Sequence, residues 1–584
     1  MSISSKISII KQFIHTLNFF IIKVFFLNNA YISSTLFNLK LKNFKVFFFH
    51  LFLKETIAES TAFLRQLGLC LSSVEINPIE LEDPDYKLKI FYPDELREDE
   101  EQVEKLLYYK DKHSISDRCY CDLKSKCTLK IPSLHKLIQF RNTIDSMFEI
   151  HNNEMGVFMS VKDKLRFRLE HFFKKKYRNG INDPDTVFKD PIIHVKLGAD
   201  GTNIGRNLKL LNFTFTIINE GALSKTASGN YTLGIFEIES ENYGSVTECF
   251  KELIEEFANL NTIKIQDREL KIIYYYAGDW KMLANSLGIL GANSKHPCVW
   301  CKCSKDNFYD NEQEWSITDP KKGARTHEEQ AAILSHPNMK EIVNFGYTRV
   351  PIFKDIIPIS RYMIDMLHLF LRISDTLFNL LVKDCSLADG FDMGAIYKFD
   401  VSLYKHMNSL QHFLNEKCNV KFSFFWVAET KKLTWRDLVG PEKVRLFENL
   451  NLSEIIPDHE KFDSVAAIWT KFYEILQDVK EVKVEPADLK LRTKDWLDLF
   501  LTVYNKTTVT PYMHAFVFHL HEFVHLYKDI NAFNCQGLEK LNDISTGHYF
   551  KSTNKGATAL HQMLKKRNRM EYLSQFLKSS ECDD

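Results

Sequence analysis

LKIIYYYAGDWKMLANSLGILGANSKHPCVWCKC, residues 270–303, holds the two signals on which the reading of this chain turns. It opens with LKIIYYYAGD, an apolar and aromatic run of strand type that ends in Asp279. It closes with Cys298 and Cys301, a CxxC knuckle. Two thiolates make half of a tetrahedral zinc shell, so two more ligands are required. The best candidates are His514 and His519, five residues apart in TPYMHAFVFHLHEFVH (510–525). Pairing these halves makes one ion a staple between distant segments.

Upstream of residue 270 the period is two. IIHVKLGAD (192–200), LLNFTFTII (210–218) and YTLGIFEIE (231–239) read as three strands separated by Gly-, Asn- and Ser-bearing loops. YGSVTECFKELIEEFANLN (243–261) then reads as a helix, and residues 270–279 as a fourth strand. Three strands in a meander, a helix and a further strand is the order of a ribonuclease-H-like core. In such a fold the first and fourth strands adjoin. That brings Asp200, read as closing the first, beside Asp279. Neighbouring carboxylates repel unless a cation lies between them, and Mg2+ prefers such hard oxygen ligands. Two such ions can activate an attacking oxygen and stabilise a leaving one at phosphorus. Either aspartate alone reads equally as a turn former or a helix cap.

A chain of 584 residues exceeds what one hydrophobic core usually serves. The fold class expected is α/β (α+β), a ribonuclease-H-like core interrupted by a large helical insertion. Residues 1–54 form a Phe-rich apolar extension, and 55–188 an acidic linker and helical region. Residues 189–304 carry the first part of the core with the zinc knuckle, 305–505 the helical insertion, and 506–584 the histidines, Glu539 and a basic C-terminal helix. Lys+Arg and Asp+Glu balance at 76 each, so global charge points to no partner. Lysines interrupt the apolar N-terminus, which argues against a membrane anchor. Scattered cysteines without a secretory signal suit a reducing compartment. His113, Cys119, Cys121, Cys127 and His135 cluster loosely, with spacings that fit no standard zinc module. The basic, aromatic stretch 160–178 reads either as a nucleic-acid face or as a solvated amphipathic helix. Near the C-terminus Lys565, Lys566, Arg567 and Arg569 form a tract suited to a polyanion or to nuclear import.

These motifs, in this order, resemble the catalytic core of the V(D)J recombination-activating recombinase and of Transib-type DDE transposases. Asp200 stands in a DG segment ahead of the LLNFTFTII strand, and Asp279 precedes the knuckle by nineteen residues. His514 and His519 match the family's Y-x-H-x4-H, and Glu539, twenty residues beyond His519, stands with Asn542 in an E-x-x-N segment. The similarity covers roughly residues 190–565. It implies that Asp200, Asp279 and Glu539 hold two Mg2+ or Mn2+ ions, while Cys298, Cys301, His514 and His519 hold structural zinc. It implies a nuclear, homodimeric protein that nicks DNA and then transfers a strand, and it leaves room for an accessory subunit. The sequence departs from the family in lacking a recognisable DNA-end-reading domain or RING finger. Asp543 also follows Asn542 near a place where the family has a basic residue.

Two other readings compete. One is a domesticated or decayed DNA-binding or interaction protein of the same fold. The other is a zinc metallopeptidase, since His521, Glu522 and His525 spell HExxH, a motif in which two histidines hold zinc and the glutamate is the general base. That reading leaves Asp200, Asp279 and the CxxC unexplained.

Overall fold

The computed structural model describes residues 100–127, 131–178, 191–206, 208–265, 268–338, 342–390, 400–427, 429–430 and 432–574. The Phe-rich extension and most of the acidic linker lie outside these residues. No helix among the described residues is long and apolar enough to cross a membrane.

The elements used below are, in chain order, helices α1 (Glu100–Lys112), α2 (Asp117–Lys126) and α3 (Leu134–Asp145), strands β1 (His151–Asn152) and β2 (Gly156–Phe158), and α4 (Val161–Arg178). There follow β3 (Ile192–Ile204), β4 (Leu208–Ile217), β5 (Tyr231–Glu237), α5 (Tyr243–Ala258), β6 (Thr262–Ile265), β7 (Arg268–Ala277) and α6 (Trp280–Leu287). Last come β8 (Tyr362–Met363), α7 (Met366–Ala388), α8 (Pro511–Phe518), α9 (Leu520–Tyr527), α10 (Gln536–Ser552) and α11 (Ala559–Ser574). The protein is mixed α/β, and it divides into two compact units.

The larger unit comprises 176–230 and 237–542. Its sheet is mixed. β3 runs antiparallel to β4 and parallel to β7, and β7 runs antiparallel to β6 and parallel to β8. The first and fourth strands therefore adjoin, as expected. One detail differs: β3 does not stop at Asp200 but continues to Ile204, with Asp200 paired to Asn212. A period-two pattern marks strand character but not where hydrogen bonding ends. Both faces of β3 and β4 are largely buried, and α5 covers one of them, with Phe213 and Phe250 stacked at 4.1 Å. Asn242 starts α5 by accepting from the backbone N–H of Ser245. Gly288 ends α6 in the left-handed region at φ 64°, where a Cβ would lie 2.3 Å from the Arg349 carbonyl oxygen. Only glycine serves there, and it turns the chain out of the helix toward the knuckle. Residues 305–505 are helical in the main, including 366–388, 462–480 and 486–503, with one short two-stranded ribbon at 424–435.

The smaller unit comprises residues up to 175, Tyr231–Phe236 and 543 onward. β1 pairs with β2, and β2 with β5, all antiparallel. In α4, Val161, Leu165, Leu169 and Phe173 are buried at i, i+4 spacing, so the 160–178 stretch is an amphipathic helix packed by its apolar side. Lys164 on that side is buried and ion-paired to Glu571 at 2.7 Å. Glu571 also accepts from the Thr232 backbone N–H at 2.8 Å and lies 3.5 Å from Arg567.

Candidate metal centre and acidic cluster

Cys298, Cys301, His514 and His519 meet in the larger unit, all completely buried, with their ligand atoms within 4.8 Å of one another. Cys298 Sγ lies 3.3 Å from His519 Nε2, and Cys301 Sγ lies 3.2 Å from His514 Nε2. A tetrahedron with zinc's usual bond lengths has N–S edges of about 3.5 Å, so the donor set fits zinc. Burial opposes charge on both thiols. Even so, the hydrogen bond from Cys301 and the His519 imidazole bring Cys298 well below its usual value. Burial and the Cys298 charge hold Cys301 well above it. Metal would stabilise both as thiolates. Thr510 caps α8 by accepting from Met513, which aims His514 inward, and Phe308 stacks on its ring at 4.4 Å. Both histidines turn Nε2 to the cluster, and neither Nδ1 has a partner among the described residues. The knuckle is held from outside by Arg325, whose Nε donates to the Cys298 and Cys301 carbonyl oxygens at 2.9 and 3.0 Å.

The acids gather where β3 and β7 run side by side. Gly198 pairs with Ala277 at the last parallel register position, Asp200 lies two residues further along β3, and Asp279 stands two residues past Ala277, beyond the end of β7. Asp279 also caps α6, accepting from Met282 N–H at 2.7 Å. The cap reading holds for this side chain. Glu539 arrives in the first turn of α10, and one turn later Asn542 donates to Asp200 Oδ2 and accepts from Asn212, both at 2.5 Å. Burial, then the charges of Glu539 and Asp279, push Asp200 up to about 8. Burial raises Glu539 too, with Asp365 and Asp279 adding to it against the opposing His368.

Three further groups belong to this cluster and were not singled out from sequence as site residues. Glu241 is raised by burial and by Asp279, and lies 3.2 Å from Lys281. Asp365 is 4% exposed and caps α7, and it accepts from the Cys535 backbone N–H at 2.8 Å. His368, bonded to Asp365, places Nε2 3.6 Å from Glu539 Oε1. Burial opposes a charge on His368, but Asp365, Asp279 and Glu539 outweigh it and hold the imidazole at about 9. Asp365 and His368 stand three residues apart at the start of α7, a spacing that places them on one helix face. Their proximity to Glu539 was not visible in sequence.

The Cys–His cluster and the acids share a wall. Trp280, next to Asp279, donates from Nε1 to the Pro297 carbonyl at 3.1 Å and packs edge-on against Trp300 of the knuckle. Its backbone N–H reaches the Tyr512 hydroxyl at 3.3 Å.

The other sequence candidates fall elsewhere. Glu522 is engaged by the Ser316 hydroxyl at 2.7 Å and the Ile317 N–H at 2.6 Å. His521 is pulled to about 4, chiefly by burial, and His525 is exposed. Neither belongs to the one metal-type cluster among the described residues, and nor do the cysteines and histidines of 113–135. The basic tract needs correction as an exposed DNA-facing strip. Lys566, Arg567 and Arg569 are 4, 4 and 8% exposed, and only Lys565 points to solvent. The reason is acidic partners distant in sequence: Arg569 meets Asp111 at 2.8 Å and Asp145 at 2.7 Å, and Arg567 meets Glu571.

No family model matches the chain, and no curated protein matches it.

Proposed function

We propose that the chain is a DDE-type polynucleotidyl transferase, a transposase or recombinase acting on DNA through Asp200, Asp279 and Glu539. One observation carries this reading: Asp200 on β3 and Asp279 just past the end of the parallel strand β7 act on each other's charge, and Glu539 from a distant helix acts with them. The arrangement of β3, β4, α5, β7 and β8, with β7 parallel to both β3 and β8, supports reading the sheet as a ribonuclease-H-like core with the helices of 305–505 as its insertion. The acids fit hard divalent cations, because burial first and their mutual repulsion second favour protons on groups that would otherwise be anionic.

Two such ions would supply Lewis acidity at the attacking and leaving oxygens of a phosphodiester. The chain's own residues set the ligands. Asn542 orients Asp200, the α6 backbone orients Asp279, and His368 lies against Glu539 and balances its charge. Zinc on Cys298, Cys301, His514 and His519 would fix the wall behind Asp279. DNA as substrate, a dimer and a nuclear address follow from the family resemblance alone. The HExxH alternative is weakened because Glu522 already spends both oxygens on a loop.

The test is nicking of supercoiled plasmid by the full chain with Mn2+, a substrate that requires no knowledge of specific ends. Nicking should require Mn2+ and disappear in Asp279→Asn and Glu539→Gln. Normal nicking by Glu539→Gln would remove that residue from the site. A folded, Mn2+-binding protein that never nicks would favour the non-catalytic reading.

A further inference from the structure

The smaller unit contains a cavity of about 380 Å³ that the function above does not use. Six cationic side chains line it: Lys110, Arg141, Lys551, Lys565, Lys566 and Arg569. Against them stand three carboxylates, Asp111, Asp117 and Asp145, so the lining carries three more positive than negative groups in a chain of zero net charge. The carboxylates are already committed, Asp117 to Lys110 at 2.6 Å and both Asp111 and Asp145 to Arg569. Among the described residues no carboxylate pairs with Arg141, Lys551 or Lys565.

At one wall sits Lys566, 4% exposed, whose ammonium donates to the Ser552 hydroxyl at 2.7 Å and the Ser114 hydroxyl at 3.0 Å. The two hydroxyls are 3.1 Å apart, and one can donate to the other. Lys566 uses lone pairs of both, so one hydroxyl hydrogen remains to donate onward. The Lys566 ammonium hydrogen-bonds only neutral oxygens; Asp111 attracts it, but Arg569, Lys110 and Lys551 oppose that attraction, so an anion joining the ammonium would relieve its burial. The surrounding potential registers on neighbours. After burial, Lys112, Lys551 and Lys566 lower His113 to about 4, and Lys566, Arg567 and Arg569 lower His548.

We propose that this cavity is a binding site for a phosphoryl anion, seated between Lys566 with its two serine hydroxyls and the guanidinium and ammonium groups of Arg141, Lys551 and Lys565. Phosphate suits the lining better than a carboxylate does. It brings two charges and three acceptor oxygens to meet several ammonium donors, a guanidinium fork and a hydroxyl. The volume exceeds one phosphate and falls in the range of small-molecule sites, so the ligand carries more than one phosphoryl group or continues as a chain. The site does not depend on the transferase reading.

The probe is pyrophosphate, titrated calorimetrically into the full chain without added divalent ions. Saturable binding is expected, weakening as salt rises. Arg141→Gln combined with Lys565→Gln removes two cations that hold no carboxylate, and it should weaken binding at least tenfold at unchanged melting temperature. Lys251→Gln, on the exposed side of α5, should leave binding as it was. Displacement of pyrophosphate by a short DNA duplex would identify the anion as nucleic-acid backbone, and failure to displace it would identify a free phosphorylated molecule. A flat titration of the unaltered chain, or equal binding by the double variant, overturns the proposal.

Discussion

Replacing Asp200 by Asn should stabilise the protein when no divalent ion is present and should abolish its response to one. Asp200 sits at about 8 rather than 3.8, first through burial and then through Glu539 and Asp279. The folded state therefore holds this proton more tightly than the unfolded chain does. The sign follows by linkage: no penalty exists below about pH 4, stability falls as pH rises toward 8, and the full cost stands above it. At about 1.36 kcal/mol per pH unit, that cost is on the order of 5 kcal/mol, shared with the carboxylates around it. Asn removes the charge yet keeps an oxygen for the Asn542 amide to donate to, so no buried donor is orphaned. With roughly 2–4 °C per kcal/mol, Asp200→Asn should melt on the order of 10 °C above the parent at about pH 8.5. The gap should close near pH 4 to 5. Adding Mn2+ should raise the parent's melting temperature by mass action and leave the variant unmoved. Differential scanning fluorimetry at both pH values, with and without Mn2+, reads all of this. A variant that melts lower at high pH, or that responds to Mn2+ like the parent, refutes the cation-site reading.

The purified chain should carry one zinc per molecule by elemental analysis. Cys298→Ser and His519→Ala should lose it, and His525→Ala should keep it. A structural zinc contributes about 10 kcal/mol or more, comparable with the whole stability of a domain, so the first two variants should also unfold cooperatively at much lower temperature. Arg569→Met strands Asp111 and Asp145 in a buried setting, and chemical denaturation should show a loss of about 3–5 kcal/mol.

What could be read from sequence was local or periodic. Strand character around 192–217 and 268–277, the helix at 243–258 and the CxxC half-site all follow from patterns a few residues long. The composite zinc cluster was legible because ligand chemistry demands four donors and the chain offers few buried candidates. The fate of α11 was not legible. Its Lys566, Arg567 and Arg569 read as a tract for a polyanion or for nuclear import, since nothing nearby in sequence announces Asp111 and Asp145, more than four hundred residues away. Glu241 and His368 were hidden for the same reason, because their meaning lies in neighbours brought by other elements. Asp279 shows a different limit. Cap and ligand are alternatives on paper, yet one carboxylate can do both, since Oδ1 faces the Met282 N–H.

The same contacts revise which acid the zinc serves. Sequence spacing ties His519 to Glu539, but the side chains that touch the cluster lead to Asp279, through Trp280, Trp300 and Tyr512. Glu539 has its own anchors. Lys196 on β3 donates to the Asn534 carbonyl at 2.9 Å, Asp365 receives the Cys535 N–H, and His368 meets the carboxylate itself. Gly537 permits a close approach, since a Cβ there would lie 2.4 Å from Asn230 Nδ2. A carboxylate site built for two cations must hold its members against their own repulsion. Here that restraint is divided: the wall shared with the Cys–His cluster holds the acid just past β7, a buried Asp–His pair holds the acid on α10, and Asn542 holds the acid on β3. Each acid is thus braced by a different element, the preorganisation that in-line chemistry at phosphorus would draw on under the proposed function.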